Sequence, residues 1–226
     1  MSLILFGSGE FTNSVKDIDL FLIKNYQFKS IAVLPTAAGL ESDWLKWIEQ
    51  AQIHYKKFKV KVIPLPVQNQ QQANDQKIVN SLDQAEAIFI SGGNPIYLHN
   101  QLQNTVLLQK ILDKINQTNF MVAGSSAGAM IMGGYILKSP FRANFNRNRA
   151  NWIEGFQIIN STIFPHFNRF SKLPFFFNNI IDKSPDQVKN NWLGIDENTA
   201  LIVDHKYQKI GSGHVTISLN QTTKII

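Results

Sequence analysis

The sequence contains no cysteine and no long hydrophobic run. Without cysteine, disulfides, thiolate metal sites and a cysteine nucleophile are excluded. No stretch approaches the roughly 18 uninterrupted apolar residues that predict a membrane-spanning helix. The apolar segment Met1–Phe6 stops at Gly7, which is too short for a secretory signal. We therefore expect a cytoplasmic protein with no membrane partner. We name no cofactor and no metal for it.

Charged residues are also scarce, at 17% of the 226 residues, whereas hydrophobic residues make up 44%. This composition is typical of a chain with a sizeable core and argues against extensive disorder. The formal net charge is +6, which raises the question of a nucleic-acid partner. The basic residues form no helix-long stripe, and no helix-turn-helix, zinc or aromatic RNA-binding motif accompanies them. We therefore expect no nucleic-acid partner.

Carboxylates are nearly missing from Lys114 to Ile181, where Glu154 is the only one. The same stretch contains all four arginines of the chain: Arg142, Arg147, Arg149 and Arg169. The planar, permanently charged guanidinium group suits carboxylates or phosphates. Two interpretations stay open, a solvated basic loop or a site for an acidic ligand.

Short β-type runs alternate with longer helical patterns through the first 130 residues. The predicted strands are Leu3–Phe6, Ile31–Leu34, Val60–Leu65, Ala87–Ile90 and Phe120–Ala123. The predicted helices are Asn13–Lys24, Glu41–Lys56, Asn74–Leu82 and Pro95–Ile115. This alternation predicts a mainly parallel sheet with helices on both faces.

After about Trp192 the pattern changes to closely spaced β segments. They are Leu193–Ile195, Ala200–Val203, Gln208–Gly211 and Val215–Leu219. We find no linker and no internal repeat. The sequence therefore predicts one α/β domain over residues 1–226 with a β-rich C-terminal part.

The segment Met121–Met130 combines an apolar strand, the pattern Gly-x-Ser-x-Gly and a helix start made of small residues. This order is typical of a nucleophile elbow, in which a sharp turn forces the central serine into strained backbone geometry. Gly124 and Gly128 would supply the clearance around Ser126. The amide of Ala127 would point at an oxygen on the attacked carbon. The alternative is that Ser126 only caps the following helix.

A second glycine turn, Ser91-Gly92-Gly93-Asn94-Pro95, follows the preceding strand. Asn94 can cap the next helix, and proline suits its first turn. The two glycines would also let a backbone amide approach the serine turn from the neighbouring strand. We expect that amide to complete an oxyanion hole.

A serine nucleophile needs a base, and His166 is the strongest candidate among the five histidines. It follows the apolar, aromatic run Ile163–Pro165, and an imidazole buried there would need a polar partner. A hydrogen-bonded core histidine is the alternative. The group that orients His166 stays open between Glu154, an amide such as Asn144 or Asn146, a more distant acid, and a degraded site.

Together these segments resemble the dipeptidase E and cyanophycinase family of serine peptidases, which share a class I glutamine amidotransferase-like α/β fold. The resemblance rests on four segments: Ile88–Leu98, Ala123–Met130, Pro165–Phe167 and Gly194–Leu201. Related amidotransferases carry cysteine at the elbow, so the serine in this chain favours the peptidase branch.

The resemblance implies that Ser126 is the nucleophile and His166 the base, with the amides of Gly93 and Ala127 as the oxyanion hole. It places the acid between the nucleophile and the histidine. The stretch 141–148 has no carboxylate, and Glu154 is the candidate that we name. We interpret Asp196-Glu197, within the fourth segment, as a structural turn near the site.

Pro165 precedes the histidine as in dipeptidase E, whose relatives recognise an N-terminal aspartate. The resemblance thus implies a serine-type dipeptidase that cleaves small acidic peptides, with Asn94, Arg142 and Arg169 as substrate-binding candidates. The alternative is a catalytically silent, amidotransferase-like protein that binds a small anionic ligand. The oligomeric state stays open, with a homodimer as one option.

Overall fold

The computed structural model describes residues 2–117, 120–138, 152–170, 172, 174–204, 206–220 and 222–226. The strands in these ranges are β1 (Ser2–Phe6), β2 (Ser30–Leu34), β3 (Lys61–Pro64), β4 (Ala87–Ile90), β5 (Met121–Ser125), β6 (Tyr135–Leu137), β7 (Trp152–Glu154), β8 (Thr162–Phe164), β9 (Asn191–Ile195), β10 (Thr199–Val203), β11 (Tyr207–Gly211), β12 (Val215–Leu219) and β13 (Thr222–Ile225). The α-helices are α1 (Lys16–Tyr26), α2 (Lys46–Lys56), α3 (Gln70–Ala73), α4 (Gln76–Ser81), α5 (Pro95–Leu102), α6 (Val106–Ile115), α7 (Ala127–Met130), α8 (Phe167–Phe170), α9 (Pro174–Asp182) and α10 (Asp186–Asn190).

A seven-stranded sheet lies at the centre of the fold, in the order β11-β10-β1-β5-β4-β2-β3. The five strands from β1 to β3 in this order run parallel, and β10 and β11 extend the sheet antiparallel at the β1 edge. Strands β4 and β5 are buried along their whole length. Their continuous apolar runs reflect burial on both faces, as is typical of parallel sheets. The predicted mainly parallel sheet is confirmed.

Helices cover both faces of this sheet. On one face, α1 and α2 pack through residues such as Leu22 and Tyr55. On the other face, α4, α5 and α6 pack through residues such as Val79, Leu98 and Ile111. Each helix buries an apolar stripe against the strands, so the layered arrangement follows from helical periodicity.

The predicted helix Pro95–Ile115 is wrong as a single element, because the chain forms two helices there. Helix α5 ends at Leu102, and Asn104 adopts a left-handed backbone with φ of 59°. The hydroxyl of Thr105 then accepts a hydrogen bond from the Leu108 amide at 3.3 Å and caps α6. Apolar residues continue across this break, which is why periodicity alone predicted one helix.

The β-rich C-terminal part is confirmed, and it divides between two sheets. Strands β10 and β11 join the central sheet, whereas β9, β12 and β13 form a four-stranded sheet with β8. In that second sheet β8 and β9 run parallel, with Phe164 opposite Gly194. The carboxyl ends of these two strands therefore meet at one edge.

Among the described residues, no helix is long and apolar enough to cross a membrane.

Candidate active site

Ser126 lies in the turn between β5 and α7 with φ of 49° and ψ of −110°. A positive φ is uncommon for a residue with a side chain and marks a strained turn. A Cβ atom on Gly124 would lie 2.5 Å from the Gly128 carbonyl carbon, and one on Gly128 would collide with the Ile90 carbonyl oxygen. Glycine at both positions therefore makes the sharp turn sterically accessible. The Ser126 hydroxyl makes no capping hydrogen bond to α7.

The Ser126 hydroxyl instead faces His166, with 3.0 Å between Oγ and Nε2. His166 follows β8 and has a φ of 52°. Its amide donates to the Gly7 carbonyl oxygen at 3.3 Å, and its own carbonyl oxygen accepts from the Arg169 amide at 2.9 Å. These backbone contacts hold the histidine over the end of β1, next to the serine turn.

The other ring nitrogen of His166 contacts Glu197, with 2.8 Å between Nδ1 and Oε1. Glu197 follows β9, the parallel neighbour of the strand that precedes His166. Asn168 holds the glutamate in place, because its Oδ1 accepts from the Glu197 amide at 3.2 Å and its Nδ2 donates to Oε2 at 3.4 Å. Serine, histidine and glutamate thus form a continuous hydrogen-bonded line.

Several donors favour the ionised form of Glu197. The hydrogen bond from His166 is the largest effect that lowers the pKa of this carboxyl below its ordinary value, and Asn168 and the charge of Arg169 act in the same direction. Partial burial opposes them, with a smaller effect than the His166 hydrogen bond. Arg169 Nη2 lies 2.7 Å from Glu197 Oε1. The carboxylate is therefore available at neutral pH to orient the imidazole.

Glu154, the acid named from the sequence, does not lie at His166. It is exposed on β7, where its Oε2 accepts from Gln157 Nε2 at 3.3 Å. Strand β7 pairs with β6 in a two-stranded sheet that is separate from the sheet containing the strand before His166. The alternatives Asn144 and Asn146 fall outside the described residues, as does Arg142.

The interpretation of Asp196-Glu197 as a structural turn holds only for the first residue. Asp196 Oδ2 accepts from the His214 amide at 2.9 Å, whereas Glu197 contacts the base. The signal that could have found Glu197 was the predicted strand at Leu193–Ile195. If this strand pairs in parallel with the one before His166, an acid just after it must lie near the histidine.

The two amides named for an oxyanion hole belong to Gly93 and Ala127. Neither amide has a hydrogen-bond acceptor within the described ranges. Gly93 has φ of 142°, and a Cβ atom there would collide with the Ala37 carbonyl oxygen. Asn94 Oδ1 accepts from the amides of Ile96 and Tyr97, both at 3.0 Å, and so caps α5 as expected.

A second carboxylate, Glu10, lies next to the residue that precedes Ser126 and was not identified from the sequence. It is only 7% exposed. Its Oε1 accepts from the Gly92 amide at 2.8 Å, and its Oε2 accepts from Ser125 Oγ at 2.5 Å. Glu10 therefore connects the glycine turn after β4 to the last residue of β5.

Two cavities meet at Ser126 and His166. The larger has a volume of about 550 Å³, and its lining also includes Gly93, Asn94 and the cationic residues Lys138 and Arg169. The smaller has a volume of about 360 Å³, and its lining includes Glu10 and Trp47.

Comparison with known proteins identifies a peptidase family and its fold. Residues 3–210 match the sequence profile of peptidase family S51. A crystal structure of a peptidase from an acI-B1 Actinobacterium superposes with a TM-score of 0.83 and 30% identity, covering 100% of this chain and 93% of that one. A putative peptidase E protein from Listeria monocytogenes has a TM-score of 0.65 at 20% identity, covering 94% of this chain and 98% of that one, and so shares the fold.

Curated relatives are similar over about two thirds of the chain. A cyanophycinase from Nostoc sp. is 26% identical over 164 residues, which are 70% of this chain and 53% of that protein. An uncharacterized peptidase of Pasteurella multocida is 30% identical over 157 residues, covering 67% of this chain and 72% of that one. The chain therefore spans about half the length of the cyanophycinase that it matches.

Proposed function

This chain belongs to peptidase family S51, and from that premise we propose that it is a serine peptidase with Ser126 as its nucleophile. The observation that carries the proposal is the hydrogen-bonded line from Ser126 Oγ through the His166 ring to Glu197. A nucleophile, a base within 3.0 Å and an acid that orients the base are what acyl transfer by a serine requires.

In the proposed mechanism, Ser126 Oγ bonds to the carbonyl carbon of the scissile peptide while its proton passes to His166 Nε2. Glu197 accepts the Nδ1 proton in a hydrogen bond, which selects the reactive tautomer and stabilises the imidazolium ion. The amides of Gly93 and Ala127 stabilise the negative carbonyl oxygen.

His166 then gives its proton to the leaving amine, and the C–N bond breaks to leave an acyl-enzyme. Water attacks the acyl carbon as His166 Nε2 accepts one of its protons. The bond between the acyl carbon and Ser126 Oγ then breaks, and His166 returns the proton to Oγ, which releases the acid and restores the Ser126 hydroxyl. No group outside the chain and water is needed for this proton balance.

We further propose short peptides with an aspartate at the scissile bond as substrates. The support is the presence of two cationic side chains, Arg169 and Lys138, in the lining of the larger cavity. Arg169 is paired with Glu197 but its side chain is 72% exposed, so it can still face a second carboxylate. The position of Arg142 lies outside the described residues.

The test is hydrolysis of Asp-X dipeptides by the purified protein and by two matched serine variants. Ser126→Ala should lower kcat/KM by about 10⁴-fold or more, because the nucleophile is lost. Ser42→Ala, at an exposed position, should leave turnover unchanged. A serine-directed phosphonate should label the wild type and the Ser42 variant but not the Ser126 variant. Equal turnover by Ser126→Ala would overturn the proposal.

The alternative of a silent ligand-binding protein is motivated by the lack of an acid for His166 between the nucleophile and the histidine. The distance of 2.8 Å between Glu197 Oε1 and His166 Nδ1 supports the peptidase over that alternative.

A further inference from the structure

The larger cavity is unexpectedly apolar for a site that is proposed to take an acidic peptide. Seven side chains of its lining carry no polar group: Pro95, Met130, Leu137, Phe164, Pro165, Phe170 and Phe176. Its volume of about 550 Å³ lies within the range of roughly 300–1,000 Å³ that is typical of small-molecule sites. The cavity therefore has room for more than a carboxylate group.

The aromatic part of this lining is fixed by ring packing. Phe164 is 3% exposed, and its ring lies 5.1 Å from Phe177 in an edge-on arrangement. Phe170 of α8 and Phe176 of α9 stack with 6.4 Å between their centroids and 14° between their planes. Phe170 also meets Phe164 edge-on at 6.4 Å. The rings hold one another in a defined orientation beside Ser126.

Phe170 and Phe176 are only half-buried, and both line the cavity. Exposed aromatic surface costs hydrophobic free energy that a bound apolar group would recover. A binding site with apolar walls and a few placed polar groups is the usual form of a small-molecule pocket. In this cavity the polar side chains are Asn94, Ser126 and His166, together with the two cations.

We propose that Phe170 and Phe176 form a subsite for a large apolar side chain of the substrate, at the residue that follows the aspartate. This inference rests on the proposed peptidase function. The preferred substrates would then be Asp-Phe and Asp-Leu rather than Asp-Gly or Asp-Asp. Burial of one large apolar side chain corresponds to about 10- to 100-fold in kcat/KM.

The experiment measures kcat/KM for Asp-Phe and Asp-Gly and compares their ratio between variants. We expect a ratio of about 10 or more in the wild type. Phe176→Ala should lower the ratio at least about fivefold, mainly through KM for Asp-Phe, because the apolar contact is lost. The matched control is Phe175→Ala, since Phe175 lies on the same helix but is 94% exposed. This control should keep the wild-type ratio.

Phe170→Ala provides an independent variant from a different helix and should change the ratio in the same direction. The ratio is internal to each variant, so partial loss of folded protein does not affect it. A ratio near 1 in the wild type, or a high ratio that persists in both alanine variants, would overturn the subsite.

Failure of the subsite is distinguishable from failure of the proposed function. If hydrolysis depends on Ser126 but kcat/KM is the same for Asp-Phe and Asp-Gly, only the subsite is refuted. If neither dipeptide is hydrolysed, the readout becomes protection of Ser126 from phosphonate labelling. Protection by Asp-Phe at a lower concentration than Asp-Gly then supports the subsite, and equal protection refutes it.

Discussion

The two halves of the candidate site are built in different ways. The serine half consists of two turns at the ends of adjacent central strands, β4 and β5, with buried backbone on both sides. The histidine half comes from the ends of β8 and β9 in the second sheet, where His166 and Glu197 are 31 residues apart. Within the first half, the Ser126 turn itself is a local motif, and its approach to the Gly92-Gly93 turn needs β4 to pair with β5. The contact between His166 and Glu197 has no local part, because it exists only through the pairing of β8 with β9.

Each half contains a carboxylate, and their surroundings differ. Glu10, in the serine half, is 7% exposed and accepts from a backbone amide and a serine hydroxyl. Glu197, in the histidine half, has a side chain that is 23% exposed and contacts an imidazole and a guanidinium group. We therefore expect Glu10 to position the backbone around Ser126, and Glu197 to act on the base.

The largest difference between the halves should appear on neutralising Glu197. Glu197→Gln should lower kcat/KM for an Asp-X dipeptide by about 10³- to 10⁴-fold, with the loss in kcat, because an amide favours the wrong imidazole tautomer. The matched control is Glu154→Gln, an exposed glutamate whose hydrogen bond is to Gln157. We expect this control within twofold of the wild type. A comparable loss in both variants would contradict the assignment of the acid to Glu197.

A smaller effect is expected for Glu10→Gln, which places an amide NH₂ group against either the Gly92 amide or the Ser125 hydroxyl. We expect kcat to fall about 10- to 100-fold with little change in KM, because the amide of Gly93 shifts relative to Ser126. Denaturant unfolding should show a loss of about 1–3 kcal/mol in unfolding free energy. A lower unfolding free energy with unchanged kcat would show that Glu10 stabilises the fold and does not position the Gly93 amide.

The smallest expected effect is the contribution of Glu197 to the free energy of unfolding, which should depend on pH. Since contacts in the folded protein lower the pKa of Glu197 below its ordinary value of 4.5, ionisation of this group favours folding. The stabilisation is present above that ordinary value and is lost as the pH falls through the lower pKa of the folded state. Denaturant unfolding from pH 6 to 3 should therefore show a wild-type advantage over Glu197→Gln of about 1 kcal/mol or less. The advantage should shrink with acid, and growth of the difference would contradict the pKa direction.

Much of the serine half was predictable because its constraints are local. Strand β4 has the predicted bounds, and Gly124 and Gly128 lie where the steric argument requires small residues. Helix breaks were harder to predict, since the apolar pattern runs through Thr105 while its hydroxyl caps a new helix.

The acid was not predictable by the same reasoning. Glu154 was chosen for being the only carboxylate in a long stretch of sequence, but nearness along the chain does not determine nearness in the fold. Glu10 was missed for a related reason, since its partner Ser125 lies 115 residues away.

The sequence alone determined the layered α/β architecture, the strained serine turn and His166 as the candidate base, because periodicity and steric limits act over a few residues. Tertiary structure alone decided which carboxylate faces His166 and which aromatic rings line the cavity. Those neighbours depend on the parallel pairing of β8 with β9 and on ring packing between α8 and α9. The periodicity of helices and strands does not predict such contacts, because it does not show which elements pack against each other.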